Sequence, residues 1–154
     1  MTRISYKDVA PGAYQAMLGL ERYVGSSGLE ASLLELVRTH ASQLNGCAFC
    51  LDMHTKDALA AGETPQRLLV LSAWRDAPFY TERERAALAW TEAVTHLGPN
   101  GIADAPYHAA RQHFDERQLV DVTMAIVAIN GWNRLAIALH SPEPGSHVPA
   151  TQTN

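Results

Sequence analysis

Cysteine is nearly absent from this chain of 154 residues, which contains only Cys47 and Cys50. A disulfide between residues three positions apart closes almost no loop, so it would add little stability. The first two dozen residues lack the basic segment and unbroken apolar core of a secretory leader, so we expect a cytoplasmic protein. Thiols in that compartment are kept reduced, and a close cysteine pair there is more often catalytic or metal-binding than a structural crosslink.

Basic runs are also missing. The 12 Lys and Arg residues are outnumbered by 16 Asp and Glu residues, which gives a formal charge of -4. This balance argues against nucleic acid or an anionic membrane as the main partner. Because 47% of the residues are hydrophobic, a chain of this length can bury one compact core. We expect a single domain over residues 1–140 and a C-terminal arm or disordered tail over residues 141–154, where prolines prevent a continuous helix.

The strict apolar-polar alternation of strands is missing too, and apolar residues recur instead at every third or fourth position. The sequence therefore predicts an all-α fold. The first helix is expected over residues 8–24, with Pro11 in its first turn, and the second over residues 29–44. The third helix is expected over residues 47–61, and a short fourth helix begins at the cap Thr64 and ends at Leu71 or Trp74. Three more are expected over residues 81–97, 103–114 and 116–140.

Several helix ends carry recognisable capping residues. Asn45 or Gly46 is the expected N-cap of the helix over residues 47–61, and Gly62 is its expected C′ residue. The segment Thr81-Glu82-Arg83-Glu84 has the form of a capping box, in which a hydroxyl and a carboxylate three residues later each bind a free backbone amide. These features make the helical interpretation specific to particular residues.

The helix expected over residues 116–140 is apolar on nearly every side, which is typical of a central helix. Its length is compatible with a membrane span. However, Asp121, Asn130, Asn133 and Arg134 would each be costly in hydrocarbon. We therefore expect a buried core helix or a subunit interface.

The cysteine pair gains meaning from the residue that follows it. On a helix, Cys47, Cys50 and His54 lie at i, i+3 and i+7 and share one mostly apolar face. Burial disfavours a thiolate, so reactivity requires a base, a cation or a helix N-terminus. The helix N-terminus favours a thiolate at Cys47, whereas His54, one turn after Cys50, favours Cys50. The pattern indicates a redox-active dithiol and leaves open which sulfur is the nucleophile.

A resemblance to a known family extends over nearly all of the chain except the tail. It is carried by Glu35-Leu36-Val37-Arg38, Ser42-Gln43-Leu44-Asn45-Gly46-Cys47-Ala48-Phe49-Cys50-Leu51-Asp52-Met53-His54-Thr55-Lys56, Thr81-Glu82-Arg83-Glu84-Arg85-Ala86-Ala87-Leu88-Ala89-Trp90-Thr91-Glu92 and Asn130-Gly131-Trp132-Asn133-Arg134. These segments resemble the AhpD-like alkylhydroperoxidases of the carboxymuconolactone decarboxylase superfamily. The resemblance implies an all-α, AhpD-like helical bundle that reduces organic hydroperoxides, with hydrogen peroxide as a further candidate substrate.

The same resemblance implies a role for each site residue. Cys50 would be the peroxidatic cysteine and Cys47 would resolve it as a disulfide. Glu35 and His54 would relay the proton. An external dithiol, of the lipoyl type or another thiol-disulfide donor, would reset the enzyme, and no metal or organic cofactor would be required. A homo-oligomer, as a trimer or hexamer, is expected. By periodicity alone Glu35 lies on a solvated helix face, and only the resemblance moves it into the site.

This chain departs from the family pattern at one position. The best-known members carry a histidine next to the second cysteine, where this chain has Phe49, so one side chain that could serve in the proton relay is missing. Superfamily decarboxylases lack the cysteine pair, so its presence argues against lactone decarboxylation. We interpret His40, Asp52 and Trp132 as structural residues.

Two alternatives to the peroxidase remain open. A thiol-disulfide adaptor or redox sensor would use the same dithiol without peroxide turnover. A structural zinc site would take both cysteines and His54, with Glu35 or His40 as the fourth ligand, since zinc accepts sulfur, nitrogen and oxygen. Ligands at i, i+3 and i+7 on one continuous helix suit a closed tetrahedron poorly, so zinc is the less favoured of the two.

Overall fold

A computed structural model of the chain describes residues 2–150 as eight α-helices and one 3-10 helix, with no strand in that range. The predicted all-α, single-domain fold is confirmed. The helices are α1 Tyr6–Val9, α2 Pro11–Gly25, α3 Ala31–Asn45, α4 Ala48–Ala60, α5 Pro65–Leu69, the 3-10 helix Leu71–Ala73, α6 Glu82–Thr95, α7 Asp104–Arg111 and α8 Glu116–Leu139.

The single first helix expected over residues 8–24 is wrong, because the chain breaks there into α1 and α2. Ala10 separates them with φ -140 and ψ 63, outside the helical region. A proline disfavours helical backbone in the residue before it. Pro11 then begins α2, where its missing N–H has no helical partner to lose.

The turn into α4 also differs from the expectation. Gly46 ends α3 in the left-handed region, with φ 67 and ψ 33, which glycine adopts without a steric penalty. Cys47, rather than Asn45 or Gly46, is the N-cap of α4, and its Sγ accepts the N–H of Cys50 at 3.4 Å. Gly62 follows α4 with φ 97, as expected of a C′ glycine. The first cysteine therefore lies at the terminus of the helix rather than within it.

The expected capping residues elsewhere are confirmed. The hydroxyl of Thr64 caps α5, and Thr81 with Glu84 forms the capping box of α6. A second capping box, which the sequence analysis missed, joins Asp115 and Gln118 at the start of α8. These bonds satisfy backbone amides that have no partner within the helix.

The central helix is α8, which packs against α2, α3 and α6. Its length and composition alone would also allow it to cross a membrane. However, two of its polar side chains are buried inside the protein and hydrogen-bonded. Asp121 accepts the hydroxyl of Tyr23 at 2.7 Å, and Asn133 donates to Ser42 Oγ at 3.1 Å. These partners identify α8 as the core helix of the domain.

A group of side-chain amides fastens the end of α3 to α8. Asn45 Nδ2 lies 2.9 Å from Asn130 Oδ1 and 2.8 Å from Asn133 Oδ1. Buried polar atoms are costly unless they are paired, and these bonds pair them close to Cys47. The junction between α3 and α4 is therefore fixed relative to the central helix.

Beyond α8, residues 141–150 run as an arm against α4. Asp52 Oδ2 on α4 accepts the backbone N–H of Gly145 at 3.0 Å. Further along the arm, His147 Nε2 lies 2.6 Å from Asp57 Oδ1. The last four residues of the predicted tail lie outside the described residues.

Candidate active site

The two cysteines lie side by side at the start of α4 and are joined as a disulfide. Both are buried, with 1% of Cys47 and 2% of Cys50 exposed. Ala41 of α3 and Ile129 of α8 pack against them. The two Cα atoms are 5.4 Å apart, an ordinary distance for a disulfide. The pair can therefore form this bond without rearrangement of α4.

A cavity of about 620 Å³ opens beside Cys50. This size is typical of pockets that bind small molecules. Phe49 contributes to its apolar wall. Its wall also includes the apolar or aromatic residues Tyr6, Tyr14, Leu18 and Trp132 and the polar residues Glu21, Glu35, Arg38 and His54.

Glu35 and His54 form a hydrogen-bonded pair on the wall of this cavity. His54 Nδ1 lies 2.9 Å from Glu35 Oε2, and only 8% and 15% of the two side chains are exposed. A carboxylate at Nδ1 favours a proton on that nitrogen, which leaves Nε2 as the acceptor of the neutral ring. The pair can therefore hold and transfer a proton next to Cys50.

The solvated position that periodicity indicates for Glu35 is wrong. This face of α3 packs against α4, which supplies His54 as a partner of Glu35, and Glu21 of α2 pairs with Arg38 on the same face. Helix periodicity identifies the polar face, but it does not show that another helix packs there. The resemblance to the family placed Glu35 near the dithiol, and the structure brings it into the same cavity as Cys50.

Arg38 is a site residue that the sequence analysis missed. One guanidinium nitrogen donates to Glu35 Oε1 at 2.7 Å, and another donates to Glu21 Oε2 at 2.8 Å. Glu21 in turn accepts the indole N–H of Trp132 at 3.0 Å. The spacing of Glu35 and Arg38 suits an ion pair within one helix, so part of this signal was readable. The contacts to Glu21 and Trp132 join distant parts of the chain.

The surroundings of Glu35 favour its ionised form. Burial by itself would raise its pKa, but the hydrogen bond from His54 and the positive charges of His54 and Arg38 outweigh burial. The pKa of Glu35 is consequently held below its ordinary value of 4.5. Glu35 is a carboxylate at neutral pH and can orient and stabilise a protonated His54.

His40 does not join the dithiol. Its Nε2 lies 2.9 Å from Glu92 Oε1, and its Nδ1 lies 3.2 Å from Gln43 Oε1, so it links α3 to α6. Within residues 2–150, no group of three or more His, Cys, Asp and Glu side chains has the geometry of a metal site. The structure therefore gives no support to His40 as the fourth ligand of a zinc site.

The fold and the cavity define an all-helical AhpD-like domain built around a cysteine pair that forms a disulfide. The sequence profile of the carboxymuconolactone decarboxylase family matches residues 11–93. The chain belongs to this family and to its AhpD-like members. This membership, together with the disulfide-forming pair, fits a peroxidase-related role.

Similar proteins extend over almost the whole chain. The uncharacterised protein YdfG of Bacillus subtilis is 43% identical over 137 residues, which cover 89% of this chain and 93% of YdfG. A crystal structure from Agrobacterium tumefaciens is 44% identical, with a TM-score of 0.89 and coverage of 94% of this chain and 99% of that one. That protein is of unknown function, and a role in antioxidant defence as an AhpD has been suggested for it.

A more distant structure shows the fold alone. The debrominase Bmp8 is 20% identical, with a TM-score of 0.75, and the match covers 92% of this chain and 73% of Bmp8. Enzymes of this fold thus include at least one with a chemistry other than peroxide reduction. The particular reaction of the present chain has to be argued from its own site.

Proposed function

We propose that this protein is a dithiol peroxidase that reduces organic hydroperoxides. The observation that carries the proposal is that Cys50 lines a cavity together with the Glu35–His54 pair. A thiolate is the reactive form of cysteine, and this pair supplies a base and a charge partner where Cys50 needs them. Cys47 lies close enough to form the disulfide that completes the oxidative half of the reaction.

The reaction begins with the reduced pair. His54, one helical turn after Cys50, takes the thiol proton directly or through a water, while the Glu35 carboxylate holds the ring and stabilises the imidazolium. The Cys50 thiolate attacks the terminal peroxide oxygen, and the O–O bond breaks. Cys50 becomes a sulfenic acid, and the leaving alkoxide receives the proton from His54 to become an alcohol. Because its lowered pKa leaves Glu35 ionised at neutral pH, Glu35 has no proton to donate, and His54 supplies it.

The sulfenic acid on Cys50 is then resolved by Cys47, which lies three residues earlier at the start of α4. The Cys47 sulfur attacks the Cys50 sulfenic acid, the S–O bond breaks, and hydroxide leaves with the Cys47 proton as water. The product is the disulfide. An external dithiol then returns both cysteines to thiols and is itself oxidised to a disulfide. We retain the expectation of a reducing, cytoplasmic location because such a reductant has to be available there.

The cavity favours an organic peroxide over hydrogen peroxide. Tyr6, Tyr14, Leu18, Phe49 and Trp132 give it a mostly apolar and aromatic wall. Such a wall stabilises the carbon skeleton of an organic hydroperoxide through burial, whereas hydrogen peroxide has none. Phe49 therefore adds apolar contact where the best-known AhpD-like proteins have a histidine.

The test is steady-state reduction of cumene hydroperoxide with dihydrolipoamide as reductant. We expect Cys50→Ser and Cys47→Ser to abolish turnover, and Glu35→Gln to lower it about 100-fold, within the range for loss of acid-base assistance. Glu30→Gln is the matched control, since Glu30 is a half-exposed carboxylate that pairs with Arg83. A wild-type rate no faster than that of Cys50→Ser would refute the proposal.

Mass spectrometry assigns the two sulfurs. One equivalent of cumene hydroperoxide should leave a sulfenic acid on Cys50 in the Cys47→Ser variant and none on Cys47 in the Cys50→Ser variant. A thiol-disulfide adaptor would instead exchange rapidly with dithiols and show no peroxide-driven oxidation of Cys50 in the Cys47→Ser variant. The two functions are therefore separated by the same set of variants.

We also propose that the chain forms a homo-oligomer, a trimer or hexamer. Leu97, Val120 and Val127 are large apolar residues that are 66%, 56% and 46% exposed. Val120 and Val127, seven residues apart, share one face of α8, and Leu97 and Val127 line one surface pocket. Exposed apolar patches of this kind are common at subunit contacts. Light scattering should give three or six times the monomer mass of 16.8 kDa.

A further inference from the structure

The two sulfurs of the disulfide face different cavities. Cys50 lines the cavity of about 620 Å³ and Cys47 does not. Cys47 lines a second cavity of about 260 Å³, and Cys50 does not. Phe49 and Pro142 line both cavities, so they form part of the wall between them.

The smaller cavity lies between the start of α4, the end of α8 and the arm. Ile137 lies in α8, His140 is the C-cap of α8, and Pro142, Glu143 and Pro144 come from the arm. His140 ends α8 with φ 49 and ψ 46, a left-handed conformation that is uncommon for a residue other than glycine. This turn directs the chain back toward α4, and the bond between Asp52 and Gly145 holds the arm there.

We propose that the smaller cavity is the docking site of the external dithiol reductant and that the reductant attacks Cys47. This inference rests on the proposed peroxidase function. In thiol-disulfide exchange one sulfur is attacked and the other leaves, and the sulfur that is more stable as a thiolate leaves faster. Cys50 is the sulfur that shares a cavity with the Glu35–His54 pair. Attack on Cys47 therefore expels Cys50 as the thiolate that the next peroxide requires.

Each step of this reduction is balanced. A thiolate of the reductant bonds to Cys47 Sγ, and the Cys47–Cys50 bond breaks with its electron pair on Cys50. The second thiol of the reductant then attacks the reductant sulfur that is bonded to Cys47. The mixed disulfide breaks and Cys47 is released as a thiol. The dithiol loses two electrons and two protons and becomes a disulfide. His140 lines this cavity, and its imidazole can accept the proton of the incoming thiol.

The dimensions of the smaller cavity indicate the class of reductant. About 260 Å³ is below the range of most drug-sized pockets and suits a slender aliphatic dithiol. Both half-reactions can then proceed at separate openings. A bound alcohol product in the larger cavity would not block reduction of the disulfide.

The two half-reactions can be measured separately. Ile137→Trp narrows the smaller cavity, and Leu18→Trp narrows the larger one. Ile137 is 42% exposed, so the fold should tolerate the substitution, which circular dichroism checks. Reduction of diamide-oxidised protein by dihydrolipoamide is followed by alkylation of free thiols. Oxidation of the reduced protein by cumene hydroperoxide is followed in the same way.

We expect Ile137→Trp to slow reduction of the disulfide at least tenfold and to change oxidation by peroxide less than twofold. Leu18→Trp should slow oxidation at least tenfold and change reduction less than twofold. The docking site is overturned if Ile137→Trp slows reduction less than threefold, or if it slows both half-reactions equally. Because diamide supplies the disulfide, reduction is measured even if no peroxide reacts, so failure of the peroxidase function is a separate result.

A second measurement does not depend on either tryptophan variant. Wild-type disulfide is treated with 2-mercaptoethanol in place of the dithiol and quenched in acid, which traps the mixed disulfide because thiolates are the exchanging species. Peptide mass spectrometry should find the adduct on Cys47. An adduct predominantly on Cys50 would overturn the proposed direction of attack.

Discussion

Replacing Arg38 with methionine removes the cation that lies between two carboxylates of the larger cavity. The methionine side chain keeps much of the apolar length of arginine but cannot bind Glu35 or Glu21. Arg38 is 14% exposed, and its ion pairs with these residues are 2.7 and 2.8 Å long. Breaking a fully buried pair costs about 3–5 kcal/mol, whereas an exposed pair contributes about 0–1 kcal/mol. We expect the free energy of unfolding to fall by about 2 kcal/mol for this partly buried case.

The same substitution should change how the reaction depends on pH. Glu35 has a pKa below 4.5 in the folded protein, so its carboxylate is present above that pH and is lost as the pH falls through the folded value. Burial raises the pKa of Glu35, and Arg38 is one of the positive charges that lower it. Without Arg38 the pKa of Glu35 therefore rises. We expect the acid limb of the Cys50 oxidation rate to move to higher pH, so that the rate of the variant relative to wild type falls progressively as the pH is lowered toward 4.

The assay is single-turnover oxidation by cumene hydroperoxide between pH 4 and pH 8, with urea unfolding at pH 7 on the same samples. Arg38→Lys should be intermediate, because an ammonium is a point charge and cannot span two carboxylates as a guanidinium does. Arg22→Met is the control, since it removes an exposed cation from α2 and should change stability by less than about 0.5 kcal/mol. A pH-rate profile of Arg38→Met that superimposes on the wild-type profile would refute this role of Arg38.

Two further predictions concern stability away from the dithiol. Burial would raise the pKa of Glu92, but hydrogen bonds from Arg75, Trp74 and His40 lower it to about 2; Glu92→Gln should therefore reduce the free energy of unfolding at pH 7. Arg75 is 62% exposed, so solvent screens its ion pair with Glu92, and we expect the free energy of unfolding to fall by about 1–2 kcal/mol. Urea titrations should show the difference between wild type and Glu92→Gln vanishing as the pH falls from 4.5 toward 2. Thr39 Oγ1 is buried without a hydrogen-bond partner in the described part of the chain. Thr39→Val should therefore raise the free energy of unfolding by about 1 kcal/mol. A destabilised variant would mean that the hydroxyl has a partner.

Local signals in the sequence predicted most of the fold. The capping residues Thr64 and Thr81 and the C′ glycine Gly62 fix helix ends through bonds within a few residues, so they can be read without knowledge of the packing. The break at Ala10 was also a local signal, since Pro11 follows it, but the apolar pattern on both sides favoured a continuous helix. The cap at Cys47 was missed because sulfur is an unusual acceptor at that position.

The candidate site divides in the same way. The proximity of Cys50 and His54, four residues apart, follows from helix geometry alone, whereas Cys47 lies just outside the helix as its N-cap. Glu35 required the family resemblance, because periodicity describes one helix, whereas the environment of Glu35 depends on α4, which packs against α3. The contact between Arg38 and Glu21 joins residues 17 positions apart on different helices, and Trp132 joins the same group from 111 positions away. Only tertiary packing brings these side chains together.

The amide group of Asn45, Asn130 and Asn133 bears on how the chain selects one arrangement of its helices. Apolar side chains can slide past each other by one helical turn at modest cost, but amides displaced by 5.4 Å would leave their buried partners unpaired. Polar contacts of this kind can specify alignment even where they add little net stability. Asn45 lies two residues before Cys47, so the longitudinal alignment of α3 on α8 also determines the depth at which the dithiol lies in the protein. Substitutions of these asparagines should therefore change the reactivity of both sulfurs, although none of the three amides takes part in the chemistry.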